Sequence, residues 1–462
     1  MARTTDHGRQ AGLLFAALLA VLLALPFAGY SPIEFRFGLR APQVIRGDEP
    51  HYLLVVNSLL FDRDLDLRAD YSRALLGGFD AGRILRGVGI DHATFLVDAR
   101  TGSHAGWWTV FDAGRPLGHG LFRRLSPRFP DSSAYLERSD HPAGYPLLVA
   151  ALLRPFPLDR QGVEIAMALL NALAAWTGLI LVYELSLGAG LSRRYAVLAV
   201  ALLVASPWLF YSQGHYSEIF QGVALLASLL ALQRNRPGLA GFLAGLAVWI
   251  KPALGLVLAA WIFLTWRQKS GRDALRTAGA GAFPIAGFLA FNWWQAHTLL
   301  VSGNGDPTWR PGLSGLLATL LDREHGLLTF APWALLAFAA FVSIRPKRGA
   351  LLSDIALPVL LMLVLLASFG PLGADCYGPR YWVPMLPWLA IAAAIFVARG
   401  GLFVRGLTVL LFVAGLAISV PAALEGGFAW NAPPLRPAAF LLEGLPGKAG
   451  ASARAWIQKG AR

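Results

Sequence analysis

Residues 46–52 read Arg-Gly-Asp-Glu-Pro-His-Tyr. Two adjacent carboxylates, Asp48 and Glu49, can serve as a general base that takes a proton from an attacking hydroxyl. With His51 and the distant His141, the same acids could instead hold a divalent metal ion, which would fall first to Asp48 and Glu49. Helix capping accounts for part of the pattern. Pro50 suits a first helical turn, and acids suit a helix N-terminus. Capping explains one acid better than a pair, and it leaves a base role open because a capping carboxylate has a fixed direction. Asp62, Asp64 and Asp66 begin like a calcium loop. Leu67 stands where that loop needs glycine and Arg73 where it needs its closing acid, so the stretch reads as a polar turn.

Other polar residues are scattered far along the chain. Lys251 lies in AVWIKPAL, and a lysine at the end of an apolar run either snorkels to headgroups or serves a ligand. Arg380 and Tyr381 close GPRY (378–381), preceded by Tyr377. They read equally as an interfacial anchor or as a phosphate clamp, because a planar guanidinium matches phosphate oxygens. His141 and Tyr145 lie in HPAGYP. His215, Tyr216 and Glu218 lie in QGHYSE, where capping and packing are the simpler roles. Arg310 and the run Arg323-Glu324-His325 either touch a ligand or pair locally. The chain has no Walker motif, no GxSxG and no HExxH, so a substrate is expected to arrive through the membrane.

The elements that must position these residues are apolar. Of 462 residues 56% are hydrophobic and 15% charged, with mean hydropathy +0.54; soluble domains carry about 25% charge. The expected fold is an all-α polytopic membrane protein. About eleven apolar segments are expected to cross the membrane as helices: 11–30, 163–187, 195–212, 217–233, 238–250, 252–266, 274–295, 326–344, 353–370, 381–398 and 403–423. The formal charge of +13 is spread over short clusters between these runs. That distribution argues against a nucleic-acid surface and for cytoplasmic loops. With the N-terminus inside, the clusters at 192–194, 234–236, 267–272, 345–348 and 399–405 all fall on one side. This holds only if 238–250 and 252–266 are separate crossings rather than one helix broken at Lys251-Pro252. The expected organisation is a cytoplasmic N-terminus and first span (1–30), a large first extracytoplasmic loop with short interfacial helices (31–162), a helix bundle with outer binding loops (163–423) and an outer tail (424–462). The single cysteine, Cys376, excludes an intramolecular disulfide.

An acidic pair soon after the first span, a large outer loop, HPAGYP before the second span, AGLAVWIKP and a late GPRY together resemble the GT-C superfamily of integral-membrane glycosyltransferases. The likeness is to the bacterial branch that includes the aminoarabinose transferase of lipid A and the protein O-mannosyltransferases. The resemblance implies a bacterial inner-membrane enzyme whose site faces the periplasm or exterior. It implies transfer of a hexosyl or pentosyl group from a polyprenyl-phosphate donor to a lipid, glycan or protein acceptor. Asp48 matches the family's catalytic acid, with Glu49 beside it. The implied substrate-binding residues are His51, Tyr52, His141, Tyr145, Lys251, Arg310, Tyr377, Arg380 and Tyr381. Attack by the acceptor oxygen in one displacement would invert the anomeric centre. The competing reading is a transporter or flippase that moves a lipid-linked sugar without breaking a bond. Transporters often carry internal repeats and midplane charges. No repeat is visible here, and the polar clusters lie at the ends of spans.

Overall fold

The computed structural model describes residues 2–28, 49–68, 70, 92–110, 135–139, 141–299, 312–344, 351–369 and 377–425. Asp48 and Arg310, the basic run 345–348 and the tail beyond 425 lie outside these residues. Each of the eleven apolar segments contains helix. The bundle comprises α1 (Ala2–Ala28), α4 (Arg160–Gly188), α5 (Arg193–Val204), the short α6 (Trp208–Tyr211), α7 (Glu218–Gln233), α8 (Pro237–Ile250), α9 (Gly255–Gln268) and α10 (Gly271–Ala296). It continues through α11 (Leu313–Leu321), α12 (Leu327–Phe330), α13 (Ala334–Ser343), α14 (Leu351–Phe369), α15 (Leu386–Arg399) and α16 (Leu402–Glu425). Among the described residues, five helical stretches are long and apolar enough to cross a membrane: 162–188, 271–296, 351–368, 380–399 and 402–424.

The segment around Lys251 forms a hairpin. Helix α8 ends at Ile250, Lys251 is extended (φ −145°, ψ 105°), and a 3-10 turn over Pro252–Leu254 starts the return. Proline removes the backbone donor that would continue α8. The Lys269 ammonium, just past α9, donates to the Leu232 carbonyl (2.7 Å) and to Asn235 Oδ1 (2.9 Å), beside the start of α8. The chain therefore leaves and re-enters at the same end. Gln233 Nε2 donates to Asp354 Oδ2 (2.6 Å), which brings the start of α14 to that end as well. The basic loops 234–236 and 267–272 meet there, as the charge pattern requires.

The first loop contributes more than helix. Helix α2 (Glu49–Asn57) runs into a π-helical turn over Ser58–Asp62, and α3 spans Gly144–Leu153. Helix α2 is buried on every side rather than laid on a surface. Leu53, Leu54, Val55 and Val56 pack with Tyr145, Val149, Val163, Met167 and Ile250 in a second core at the end of the bundle. Each such apolar side chain contributes roughly 1.5–3 kcal/mol on burial, which offsets the cost of ordering a nine-residue helix. The loop also holds a three-stranded antiparallel sheet in the order β2-β1-β3, with β1 (His92–Asp98), β2 (His104–Val110) and β3 (Tyr135–Ser139). Asp98 stabilises the β1–β2 turn by accepting from the Arg100 and Thr101 amides, 2.8 Å each. Phe95 and Val97 dock the sheet onto Ala296 at the end of α10.

The aspartate-rich stretch is a turn, not a calcium loop. The Asp66 carboxylate is bonded to Arg68, and Asp64 accepts from Ser58. Arg160 lies 3.7 Å from Asp62 and 3.8 Å from Asp70, which pins the segment to the start of α4. Burial alone would raise the Asp66 carboxyl, but the Arg68 guanidinium together with the Glu137 and Arg68 amides outweighs it and holds the acid below the ordinary range.

Candidate active site

The segment 213–218, which joins α6 to α7, is the hub of the end opposite the basic loops. Glu49 is 5% exposed, and its carboxylate accepts from the His215 amide at 2.6 Å. The His215 ring faces the same oxygen at 3.5 Å, and its Nε2 lies 2.9 Å from the Glu164 carbonyl. Gly214 makes this approach possible, since a β-carbon there would collide with the Glu49 carboxylate. Asn171 on α4 donates to the Gly214 and Tyr216 carbonyls (2.5 and 2.9 Å) and fixes the loop from below. Burial alone would lower the His215 pKa; the Glu49 carboxylate beside it, with Glu164, more than reverses that and raises it above its ordinary value.

Aromatic rings extend the cluster. The Tyr52 hydroxyl lies 3.3 Å from Ser217 Oγ, and its ring meets Tyr145 edge-on at 5.0 Å. The His141 ring lies 4.7 Å from His51 and 5.6 Å from Tyr52. Gly144 sits so close to α8 that a β-carbon would lie 2.7 Å from the Trp249 carbonyl. His141 and Tyr145 are thereby held at the Lys251 end of α8.

The two cations reach this end by different means. The Lys251 ammonium lies over the Tyr381 ring, 4.7 Å from its centroid, a cation–π contact. Arg380 begins a 3-10 segment that leads into α15. It is 5% exposed and paired with Glu218, itself 2% exposed, through Nε (2.5 Å), with Tyr216 alongside at 5.3 Å. A buried arginine balanced by a buried acid is first an anchor. Tyr377 is wholly buried; its carbonyl accepts from Tyr211 (2.7 Å), and its hydroxyl lies 3.3 Å from the Ile418 carbonyl. Gln213 reaches the Ala423 carbonyl at 2.8 Å.

The structure thus brings Glu49, His51, Tyr52, His141, Tyr145, Lys251, Tyr377, Arg380 and Tyr381 to one end of the bundle. His325 and Glu324 stay in a local turn closed by Asp322, whose Oδ1 accepts from both amides at 2.8 Å. Among the described residues no group of three or more His, Cys, Asp or Glu side chains could hold a metal ion, and the Glu49 oxygen nearest His215 is already engaged. The residues that sequence reasoning under-weighted are His215 and Glu218. Their signal was a run of six polar or small residues between two apolar helices, but no local pattern names their partners.

No protein-family model and no curated protein sequence matches the chain. Among solved structures, ArnT from Cupriavidus metallidurans bound to undecaprenyl phosphate is 14% identical, with 97% of this chain and 68% of that one covered and a TM-score of 0.51. The apo form of the same protein is 13% identical (97% and 68% covered, TM-score 0.49). An oligosaccharyltransferase from Archaeoglobus fulgidus is 12% identical (96% and 59% covered, TM-score 0.45). At this identity the likeness speaks to architecture alone: the chain shares the fold of ArnT.

Proposed function

We propose that this chain is an integral-membrane glycosyltransferase that takes a sugar from a polyprenyl-phosphate donor and attaches it to a hydroxyl of an envelope acceptor. The observation that carries the reading is the convergence of Glu49, the His51–His141 pair, Lys251 and Arg380 at the bundle end opposite the basic loops. The undecaprenyl phosphate bound to ArnT, whose fold this chain shares, supports the donor class.

In this reading Asp48, the residue before α2, is the general base. Helix α2 is fixed by its own burial and by the Glu49–His215 contact, and Asp48 directly precedes it in the sequence. It takes the proton from the acceptor hydroxyl as the oxygen bonds to the anomeric carbon. The bond from that carbon to the phosphate oxygen breaks, the lipid phosphate leaves, and the anomeric centre inverts. Lys251 offsets the charge that grows on the leaving phosphate. Arg380 adds positive potential while its Glu218 partner holds it in place. The aromatic rings of Tyr52 and Tyr145 shield the reacting centre from water. By the positive-inside rule the site end is extracytoplasmic.

The test is reconstitution in vesicles with polyprenyl-phosphate sugars and an envelope extract, following free lipid phosphate. Wild type should release it only when acceptor is present, and Asp48→Asn should not. Movement of intact lipid-linked sugar across the bilayer without release would replace this reading with a flippase.

A further inference from the structure

One charged side chain of the first loop has no role in the chemistry above. Arg138 lies on β3, paired in register with Phe95 of β1, while Leu136 pairs with Val97. Cross-strand partners share a face of a sheet. Phe95 and Val97 are buried against Ala296, with Leu136 beside them. Arg138 therefore stands on the face that docks onto the end of α10. Its Nε and Nη1 are shut off from solvent and have no hydrogen-bond partner among the described residues. Asp66 and Asp64 attract the guanidinium, but neither is hydrogen-bonded to its Nε or Nη1. Both Asp66 oxygens are bonded to Arg68, and one also accepts from the Glu137 amide at 3.1 Å. Asp64 accepts from Ser58 Oγ (2.9 Å) and the Asp66 amide (3.0 Å). Burial pushes the Arg138 guanidinium below its ordinary range, although Asp66 and Asp64 pull the other way. Arg138 is half-buried, and donors shut off from water with no partner are costly; native proteins keep such groups where something else meets them.

We propose that Arg138 is an acceptor-binding residue that takes an oxyanion, a phosphate or carboxylate of the acceptor, beneath the inner face of the sheet. The inference rests on the transferase reading for its ligand but not for its site. A guanidinium presents several N–H donors suited to oxyanions. Arg138 is three residues before His141, whose ring lies against His51 and Tyr52, so β3 leads directly into the candidate site. The donor phosphate is carried by a membrane lipid and belongs with Lys251 at the bundle end. An acceptor group arriving from the aqueous side meets the sheet.

The experiment uses the full chain in detergent. In anion-free buffer, Arg138→Met should melt at or above the wild-type temperature, because the substitution removes an unmet charge. A fall of several degrees would make Arg138 a structural anchor and overturn the proposal. In a Lys251→Gln background, inorganic phosphate should raise the melting temperature, and adding Arg138→Met should abolish that rise. An equal rise in both would overturn it. Neither reading needs turnover, so they stand apart from the fate of the transferase assignment. Where turnover is measured, Arg138→Met should raise the acceptor KM by about tenfold or more and leave the donor KM unchanged. A change confined to the donor KM would place the residue at the lipid phosphate and reject the acceptor role.

Discussion

The two ends of the helix bundle solve opposite problems. At the basic end, short loops turn the chain with local means. Asn235 adopts a left-handed conformation (φ 53°) between α7 and α8, Pro237 opens α8, and Ser270 caps α10 by accepting from the Asp273 amide at 3.1 Å. The basic side chains Arg234, Arg236, Arg267 and Lys269 there are exposed, and Lys269 binds groups within the neighbouring turn. At the other end, charged groups are buried and paired across great distances in the chain. Glu49 meets His215 from 166 residues away, and Arg380 meets Glu218 from 162. A turn needs only local chemistry, whereas a site that brings a base, aromatic rings and cations together needs groups from several helices.

That contrast predicts a graded response to mutation. The largest effect belongs to Asp48→Asn. If Asp48 is the base, turnover should fall by about 10²–10⁴-fold with the melting temperature nearly unchanged, read from lipid phosphate release. Comparable turnover in the variant would move the base elsewhere. Next is the buried pair. Glu218→Gln removes the buried negative charge bonded to Arg380 and should destabilise the fold by about 3–5 kcal/mol, measured by thermal unfolding in detergent. An unaffected variant would mean that Arg380 is satisfied without Glu218.

Gly214→Ala should cost less, about 1–3 kcal/mol, because the loop must shift to relieve the collision with Glu49. Its turnover should fall further than its stability, since Glu49 directs the start of α2. The Glu49–His215 contact also predicts a pH trend. The His215 pKa is raised on folding, so its contribution is fully present below the ordinary histidine value, about 6.5, and is lost as pH rises through the folded value. Melting temperature should decline over that range in wild type, and the decline should flatten in His215→Gln. A profile unchanged by the substitution would assign the trend to another group. The smallest effect belongs to the basic end. Lys269→Met removes two partly exposed hydrogen bonds and should cost about 0.5–1.5 kcal/mol with turnover intact. A loss of activity there would erase the distinction between the ends.

Much of the bundle was legible in the sequence. Helix positions follow from apolar run length, and the hairpin at Lys251-Pro252 follows from the basic clusters on either side, which only two separate segments can bring to one end. The candidate residues were also legible as types, because charge and aromatic groups stand out in an apolar chain. The sheet was not. Its strands are short, and the periodicity of β1 is masked by burial against Ala296. The pairing of Arg380 was not legible either: GPRY reads the same as an anchor or a clamp, and only Glu218, on another helix, distinguishes them.

The sequence alone determined which segments form apolar helices and which loops are basic, because hydropathy and charge act over the length of one helix or one short loop. Only the tertiary structure decided that QGHYSE is the hub, that Glu49 holds the loop in place, and that Arg380 is balanced. Those outcomes depend on which helix ends meet, and residues more than 150 positions apart leave no local record of that meeting.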